Sequence, residues 1–354
     1  MGDPDVMDTW ATSSLTPQLA SGWEDDSDLF SRTYPMDLRP QAHDIIRTWL
    51  FSTVVRAHLE FGALPWSDAA ISGFVLDPER KKMSKSKGNV VVPTEPLERF
   101  GSDGVRYWAA NGRPGTDTAV DEGQMRVGRR LAIKILNLSK FALGVIGDGA
   151  AGEVTEPLDR SMLRSLTDLV EEATGAFEGY DYSRALERTE RFFWGFCDDY
   201  VELVKQRAYG AGDQGGAASA RRALELALST LLRLFAPHLP FVTEEVWSWW
   251  QDGSIHQASW PDPEPLRAET GDAERLTYRI AADVLGEIRK AKTSRQKSLR
   301  AEVELAVVRD TVERLQALEP ALEDVQQAGR VRRAFELLQA DEFAVEVELA
   351  EDAA

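Results

Sequence analysis

The residues of this chain best suited to chemistry stand together at Arg80-Lys81-Lys82-Met83-Ser84-Lys85-Ser86-Lys87-Gly88-Asn89. Lysine is a compact, flexible point charge, and a serine hydroxyl donates from a short stem. Several of each on one loop suit an anion whose charge grows during reaction, such as pyrophosphate leaving a nucleotide. The plainer alternative is a solvated basic loop. An apolar run, Ile71 to Leu76, precedes the lysines and is broken by Asp77-Pro78, so a buried strand feeds the loop. Gly88-Asn89 tolerates the positive φ of a tight exit, and a second apolar run, Val90 to Val92, follows it.

The elements that must position this loop are bounded by composition. A chain of 354 residues, 43% hydrophobic and 28% charged, is long enough for two or three folded domains. No run of 18 uncharged apolar residues occurs, and Met1 to Asp8 is acidic, so we expect no signal peptide, no membrane partner and a cytoplasmic chain. The single cysteine, Cys197, excludes an internal disulfide and any cysteine-cluster metal site, and reads as a packed core thiol. His43, His58, His238 and His256 have no metal-ligand spacing. A net charge of −18 argues against nucleic acid in general, but phosphate backbones need only a local positive surface. Two stretches offer one: Arg126, Arg129, Arg130, Lys134 and Lys140, and Arg289, Lys290, Lys292, Arg295, Lys297 and Arg300.

Along the chain, a helix is expected over Ala42 to Phe61, with Ile45, Ile46, Trp49, Leu50, Val54 and Leu59 at spacings of three and four. A strand follows, then the lysine loop, then a helix over Glu95 to Trp108 broken at Gly101-Ser102-Asp103. This alternation up to about residue 110 is the pattern of half of a doubly wound α/β sheet. From Gly123 the pattern is helical: Met125 to Leu143, Asp159 to Phe177 with Asp159 as N-cap, Tyr182 to Tyr209, Ala217 to Phe235 and Thr243 to Trp250, a helix bundle. Gly147-Asp148-Gly149-Ala150-Ala151-Gly152 has the form GxGxxG. It follows a helix rather than a strand, so it reads as a linker. Residues 266–354 read as a small α/β appendix: a helix over Ala273 to Lys292, a strand over Ala301 to Val308, a helix near Thr311 to Gln327 and a strand over Phe343 to Leu349.

Lys82-Met83-Ser84-Lys85-Ser86 is the KMSKS signature of class I aminoacyl-tRNA synthetases, intact in all five letters. Asp8-Thr9-Trp10 followed by Ser13-Ser14 resembles the segment opening the second half of the catalytic fold in the valyl group, and Ala236-Pro237-His238-Leu239-Pro240-Phe241 with Thr243-Glu244-Glu245 is similar to that group's anticodon-binding domain. The resemblance runs over about residues 3 to 265. It implies three domains: 1–122, the C-terminal half of a Rossmann-like catalytic domain; 123–265, an all-α anticodon-binding bundle; and 266–354, the appendix. It implies valine–tRNA ligase activity, with ATP and its Mg²⁺, valine and valine tRNA as partners, on a monomer. Lys82 and Lys85 would act on the phosphates, with Met83, Ser84 and Ser86 in the same nucleotide site. Gly73 and Phe74 would lie against adenine and Asp44 near the adenosine, while Trp10, Ile45 and Trp49 would wall an apolar slot for an isopropyl group. No metal ligands are implied in the protein itself. The His-x-Gly-His signature is absent, so we expect a piece matching the C-terminal portion of such an enzyme, without the first catalytic half or the editing domain. That piece alone should activate valine poorly. Two other readings stay open: a tRNA-binding module without catalysis, and isoleucyl or other branched-chain specificity.

Overall fold

Backbone pairing begins at Met36, where the chain leaves its N-terminal helical turns. In the computed structural model, which describes residues 9–147, 152–271, 273, 275–333 and 335–350, the chain forms two compact units. The first comprises Met1–Arg99 with Trp108–Gly123, the second Phe100–Tyr107 with Gln124–Ala354.

In the first unit, β1 (Met36–Ala42) and β2 (Trp66–Ser72) pair in parallel from Met36↔Trp66 to Ala42↔Ser72. The crossover between them is not the single helix the periodicity suggests. It is a 3₁₀ turn (His43–Ile45), a π turn (Ile46–Leu50) and then an α-helix (Phe51–Phe61). Gly62, at φ 67°, ends it in the left-handed conformation that a glycine supplies without steric cost. Within the helix, Thr53 and Ala57 are the buried residues, whereas Leu59 is 80% exposed. The apolar run 71–76 is likewise divided: Gly73-Phe74 separates β2 from β3 (Val75–Leu76), which pairs in parallel with β4 (Thr118–Ala119). A Cβ at position 73 would lie 2.3 Å from the Thr116 carbonyl carbon and 2.5 Å from the Asp117 nitrogen. Only glycine permits that backbone approach. The helix Thr94–Ala110 breaks where expected, at Gly101 (φ 75°, ψ 163°).

The second unit is built on long amphipathic helices: Glu122–Ile146, Pro157–Glu178, Tyr182–Gly195 running through a π turn (Phe196–Tyr200) into Val201–Ala208, and Gln214–Phe235. Leu163, Leu166, Val170, Phe193, Tyr200, Leu224 and Phe235 are essentially closed to water. The same unit continues into the helix Leu276–Ser294 and a three-stranded sheet. Its central strand β5 (Val303–Asp310) pairs in parallel with β6 (Glu336–Gln339) and antiparallel with β7 (Ala344–Leu349). The helix expected near 311–327 is two, Val312–Leu318 and Leu322–Gly329, separated by a 3₁₀ turn at Glu319-Pro320-Ala321. Of the GxGxxG stretch, residues 148–151 lie outside the described residues.

Asp159 is not the cap of its helix. Glu156 precedes Pro157 there, and Asp159 sits three residues inside, wholly buried. Its carboxylate accepts from Arg207 (Nη1 at 2.7 Å, Nη2 at 3.0 Å), Tyr200 Oη (2.8 Å) and Ser219 Oγ (2.6 Å). Arg207 also donates to both oxygens of Asp324 (3.1 and 2.8 Å) and to the Gly216 carbonyl (2.9 Å). All five guanidinium N–H groups are thus engaged, and one residue ties the bundle helices to the helix Leu322–Gly329. Cys197 is the core thiol expected: 5% exposed, its thiol pushed up to about 12 by burial.

Candidate active site

The lysine loop is built by a turn and closed by a side chain. Asp77 leaves β3, its carbonyl accepts from Arg80 N (2.8 Å), and Arg80 adopts φ 63° to reverse the chain. The Asp77 N–H donates to the Lys81 carbonyl (2.9 Å), and the Lys81 N–H donates to Asp77 Oδ1 (2.7 Å). Lys82 then returns antiparallel to Leu76. The Lys81 N–H, and after it the Asn89 amide, holds the Asp77 carboxyl below the usual range. Residues Lys85–Lys87 make one 3₁₀ turn, and Gly88 leaves it at φ 66°.

From this frame the signature side chains point differently. Met83 is half-buried, and its sulfur accepts from Val91 N at 3.3 Å, so it anchors the loop. Ser84 and Ser86 lie with their hydroxyl oxygens 3.2 Å apart, a converging pair of donors. Lys85 and Lys87 are exposed. Lys82 reaches back over the unit: its Nζ lies 3.8 Å from the centroid of the Phe74 ring and 3.6 Å from Asp44 Oδ1. Both side chains of that ion pair are more than half exposed, so water screens it, and a cation–π contact at such a site is worth only about 0.5–1 kcal/mol. Lys82 is therefore held lightly and can transfer to a stronger anion. Phe74 in turn is placed by the Asp117 carboxylate, which accepts its N–H at 2.7 Å, and by the edge of His43, 4.2 Å away between centroids.

The structure thus brings Asp44, Gly73, Phe74 and Lys82 into one surface, with Ser84, Lys85 and Ser86 on the adjoining turn. The apolar trio is placed otherwise. Trp10 is 45% exposed on the short helix Trp10–Ser13 and Ile45 is half-buried, whereas Trp49 is only 4% exposed. The Trp49 indole stacks on Trp66 (5.7 Å, 7° between planes), carries the Arg39 guanidinium 4.1 Å from its centroid, and donates its N–H to Ser13 O at 2.7 Å. Ile45 and Trp49 do not share an α-helical face, because a 3₁₀ turn and a π turn lie between them. Arg39 and Trp66 escaped the sequence reading. On β1, Arg39 Nε and both polar atoms of the Gln41 side chain are buried without a partner, which marks a place for a polar ligand group or water. Asp77 and Asn89 were also missed as loop supports. Their signal was there, an Asp opening and an Asn closing a turn-rich stretch.

Of the two basic stretches, part is already neutralised. Lys134 pairs with Asp198 (2.9 Å) and Arg289 with Asp199 (3.1 Å). Lys292 is 1% exposed and donates to the carbonyls of Leu299 and Gly329, so it belongs to the interior and not to a surface stripe. Among the described residues no helix is long and apolar enough to cross a membrane.

Comparison with known proteins covers the same stretches of the chain. Residues 2–121 match the family of class I tRNA synthetases (I, L, M and V), and residues 159–307 match the anticodon-binding domain of tRNA ligase. The valine–tRNA ligase of Thermobifida fusca is 62% identical over 99% of this chain and 40% of its own length. Those of Salinispora tropica and Cutibacterium acnes are 56% and 54% identical over 94% and 99% of this chain, covering 41% and 40% of theirs. The chain therefore spans about two-fifths of the length of these relatives. Among solved structures, the LeuRS of Agrobacterium radiobacter K84, in a ternary complex with tRNA and LeuAMS, superposes with a TM-score of 0.60 at 18% identity, over 99% of this chain and 43% of that one. That likeness speaks to fold alone. The fold, the intact lysine signature and identity above one half across nearly the whole chain lead to one conclusion: the chain is similar throughout to a part of valine–tRNA ligases, with a class I tRNA synthetase segment at residues 2–121 and a tRNA-ligase anticodon-binding segment at residues 159–307.

Proposed function

We propose that the chain serves valine–tRNA ligation: ATP-dependent activation of valine, then transfer of the valyl group to tRNA. In activation the valine carboxylate attacks the α-phosphorus of ATP, and the bond to the pyrophosphate oxygen breaks. Negative charge then builds on the leaving phosphates. Lys85, exposed on the 3₁₀ turn, and Lys82, lightly held by Asp44 and Phe74, would meet that charge. Ser84 and Ser86 add donors from the same turn. Gly73 and Phe74 offer a flat face for adenine, Asp44 a carboxylate near the adenosine, and Mg²⁺ would arrive on the nucleotide as part of the substrate. Trp10, Ile45 and Trp49 remain our candidates for the side-chain pocket, with Arg39 as the polar neighbour of Trp49.

The observation that carries this reading is the signature loop itself, hydrogen-bonded at both ends, with Lys82 over the Phe74 ring and Lys85 exposed on the turn beyond it. The helices of residues 159–307 would supply tRNA contact. The test is valine-dependent ATP–pyrophosphate exchange by the protein bearing this segment. Lys85→Ala should lower the turnover by about 10²-fold with valine affinity little changed, because the contact strengthens only as pyrophosphate leaves. An equal loss in valine binding would make the loop structural. In a parallel titration of the purified chain, valine tRNA should bind better than an unrelated tRNA and weaken with salt. Equal binding would refute the recognition role.

A further inference from the structure

We infer that Asn89 and Asp77, both outside the five-residue signature, form a latch that positions the lysine loop for its anion. The inference rests on reading that loop as the nucleotide-phosphate site. Asn89 Nδ2 donates to Asp77 Oδ2 at 2.8 Å and toward the Lys82 carbonyl at 3.3 Å, while its Oδ1 accepts the Ser84 N–H at 3.0 Å. One side chain therefore grips the strand exit, the first lysine of the signature and the residue two positions on. The orientation of the amide follows from its partners, since a carboxylate and a carbonyl require N–H groups and a backbone N–H requires the oxygen. Asp77 holds the opposite arm through the Lys81 N–H at 2.7 Å. Asp77 is 6% exposed and Asn89 half-buried, so the latch lies beneath the loop and leaves Lys85 and Lys87 on the outside.

The physical need is entropic. Four lysines on a free loop would each be ordered at the moment of binding, whereas a loop already fixed at Lys82 and Ser84 presents its donors together. No group of the latch need touch the anion. Asn89 and Asp77 are positioning residues, acting through the backbone of Lys82 and Ser84. Aspartate could not replace Asn89, because two carboxylates would face one another where a donor is needed. Glycine at 88 supplies the left-handed step, φ 66°, that turns Asn89 inward.

Trypsin reads this latch directly, because Lys82, Lys85 and Lys87 are its own cleavage sites. The full chain is digested without ligand and with increasing Mg²⁺-ATP, as wild type, Asn89→Ala, Asn89→Asp and the exchange Asp77→Asn/Asn89→Asp. Loss of these hydrogen bonds should speed cleavage at the three lysines by about 10-fold to 100-fold, with the far-ultraviolet spectrum unchanged. The exchange rebuilds an amide-to-carboxylate bond in the reverse sense and should recover most of the protection. ATP should slow wild-type cleavage, and Asn89→Ala should need at least about tenfold more ATP for the same effect. Cleavage of Asn89→Ala at the wild-type rate would overturn the latch. Faster cleavage with an unchanged ATP requirement would overturn its positioning role. If ATP protects none of the chains, the nucleotide reading and the positioning role fall together, while the ligand-free rates still decide whether the latch exists.

Discussion

Replacing Arg207 by alanine should be among the most damaging single changes in the second unit. The guanidinium side chain is 11% exposed and faces two carboxylates, Asp159 at 0% and Asp324 at 11% side-chain exposure. Burial opposes its charge, but Asp159 and Asp324 outweigh that and keep it protonated. Removing it strands the Asp159 carboxylate with two hydroxyl donors, Tyr200 and Ser219, and no cation. It also frees the Gly216 carbonyl and cuts the tie to the helix Leu322–Gly329. Breaking a buried pair from one side costs about 3–5 kcal/mol. That is a large share of a total stability of roughly 5–15 kcal/mol. For a unit of this size each kcal/mol lowers the melting temperature by about 2–4 °C, so a drop on the order of 10 °C is expected. Urea unfolding followed by tryptophan fluorescence and circular dichroism would measure it. Asp324→Ala should cost less, because Arg207 keeps its fork on Asp159. Arg207→Lys should fall between, since an ammonium has three donors where five are in use. A loss below about 1 kcal/mol for Arg207→Ala would refute the argument, because the network would then behave like an exposed pair.

Three further outcomes follow from two buried groups and one close backbone approach. His238 is 4% exposed, its Nε2 lacks a partner, and burial, aided by Arg106, lowers its pKa from 6.5 to about 4. The unfolded chain therefore binds the extra proton first as pH falls, and stability should drop by roughly 3 kcal/mol between pH 6.5 and 4. His238→Leu should flatten that slope in urea midpoints, and an unchanged slope would refute it. Cys197, raised to about 12 by burial, should resist an aromatic disulfide reagent at pH 8 until denaturant is added, and prompt labelling of the folded chain would contradict its placement. Gly73→Ala must push a Cβ into the Thr116 backbone and should destabilise the first unit by about 1–3 kcal/mol, read as an earlier urea transition. A neutral result would mean that β2 and β3 can part without cost.

What the residues alone disclosed, and what they hid, divides by the range of the forces involved. Helices such as Pro157–Glu178 and Gln214–Phe235 were visible because an apolar stripe repeats locally over five or six turns. The break at Gly101 was visible for the same local reason. The crossover after β1 was not, because periodicity cannot distinguish 3.6 residues per turn from a short 3₁₀ and π alternation, and Leu59 kept the stripe while facing water. β6 is four residues, Glu-Leu-Leu-Gln, and owes its conformation to β5 beside it rather than to its own pattern. Asp159 misled because an aspartate near a helix start usually caps it, whereas here Arg207, 48 residues on, claims the carboxylate. At the site, composition left a solvated basic loop open and the order of the five letters suggested a phosphate site by resemblance, but the loop's geometry rests on partners that neither connects. Asn89 meets Asp77 across twelve residues, and Trp49 meets Trp66 and Arg39 across a crossover. The groups that would touch phosphate are thus legible as a string, while those that aim them are fixed by tertiary contact. A loop lysine can be mutated and its loss assigned to charge only when the latch beneath it is shown to be intact.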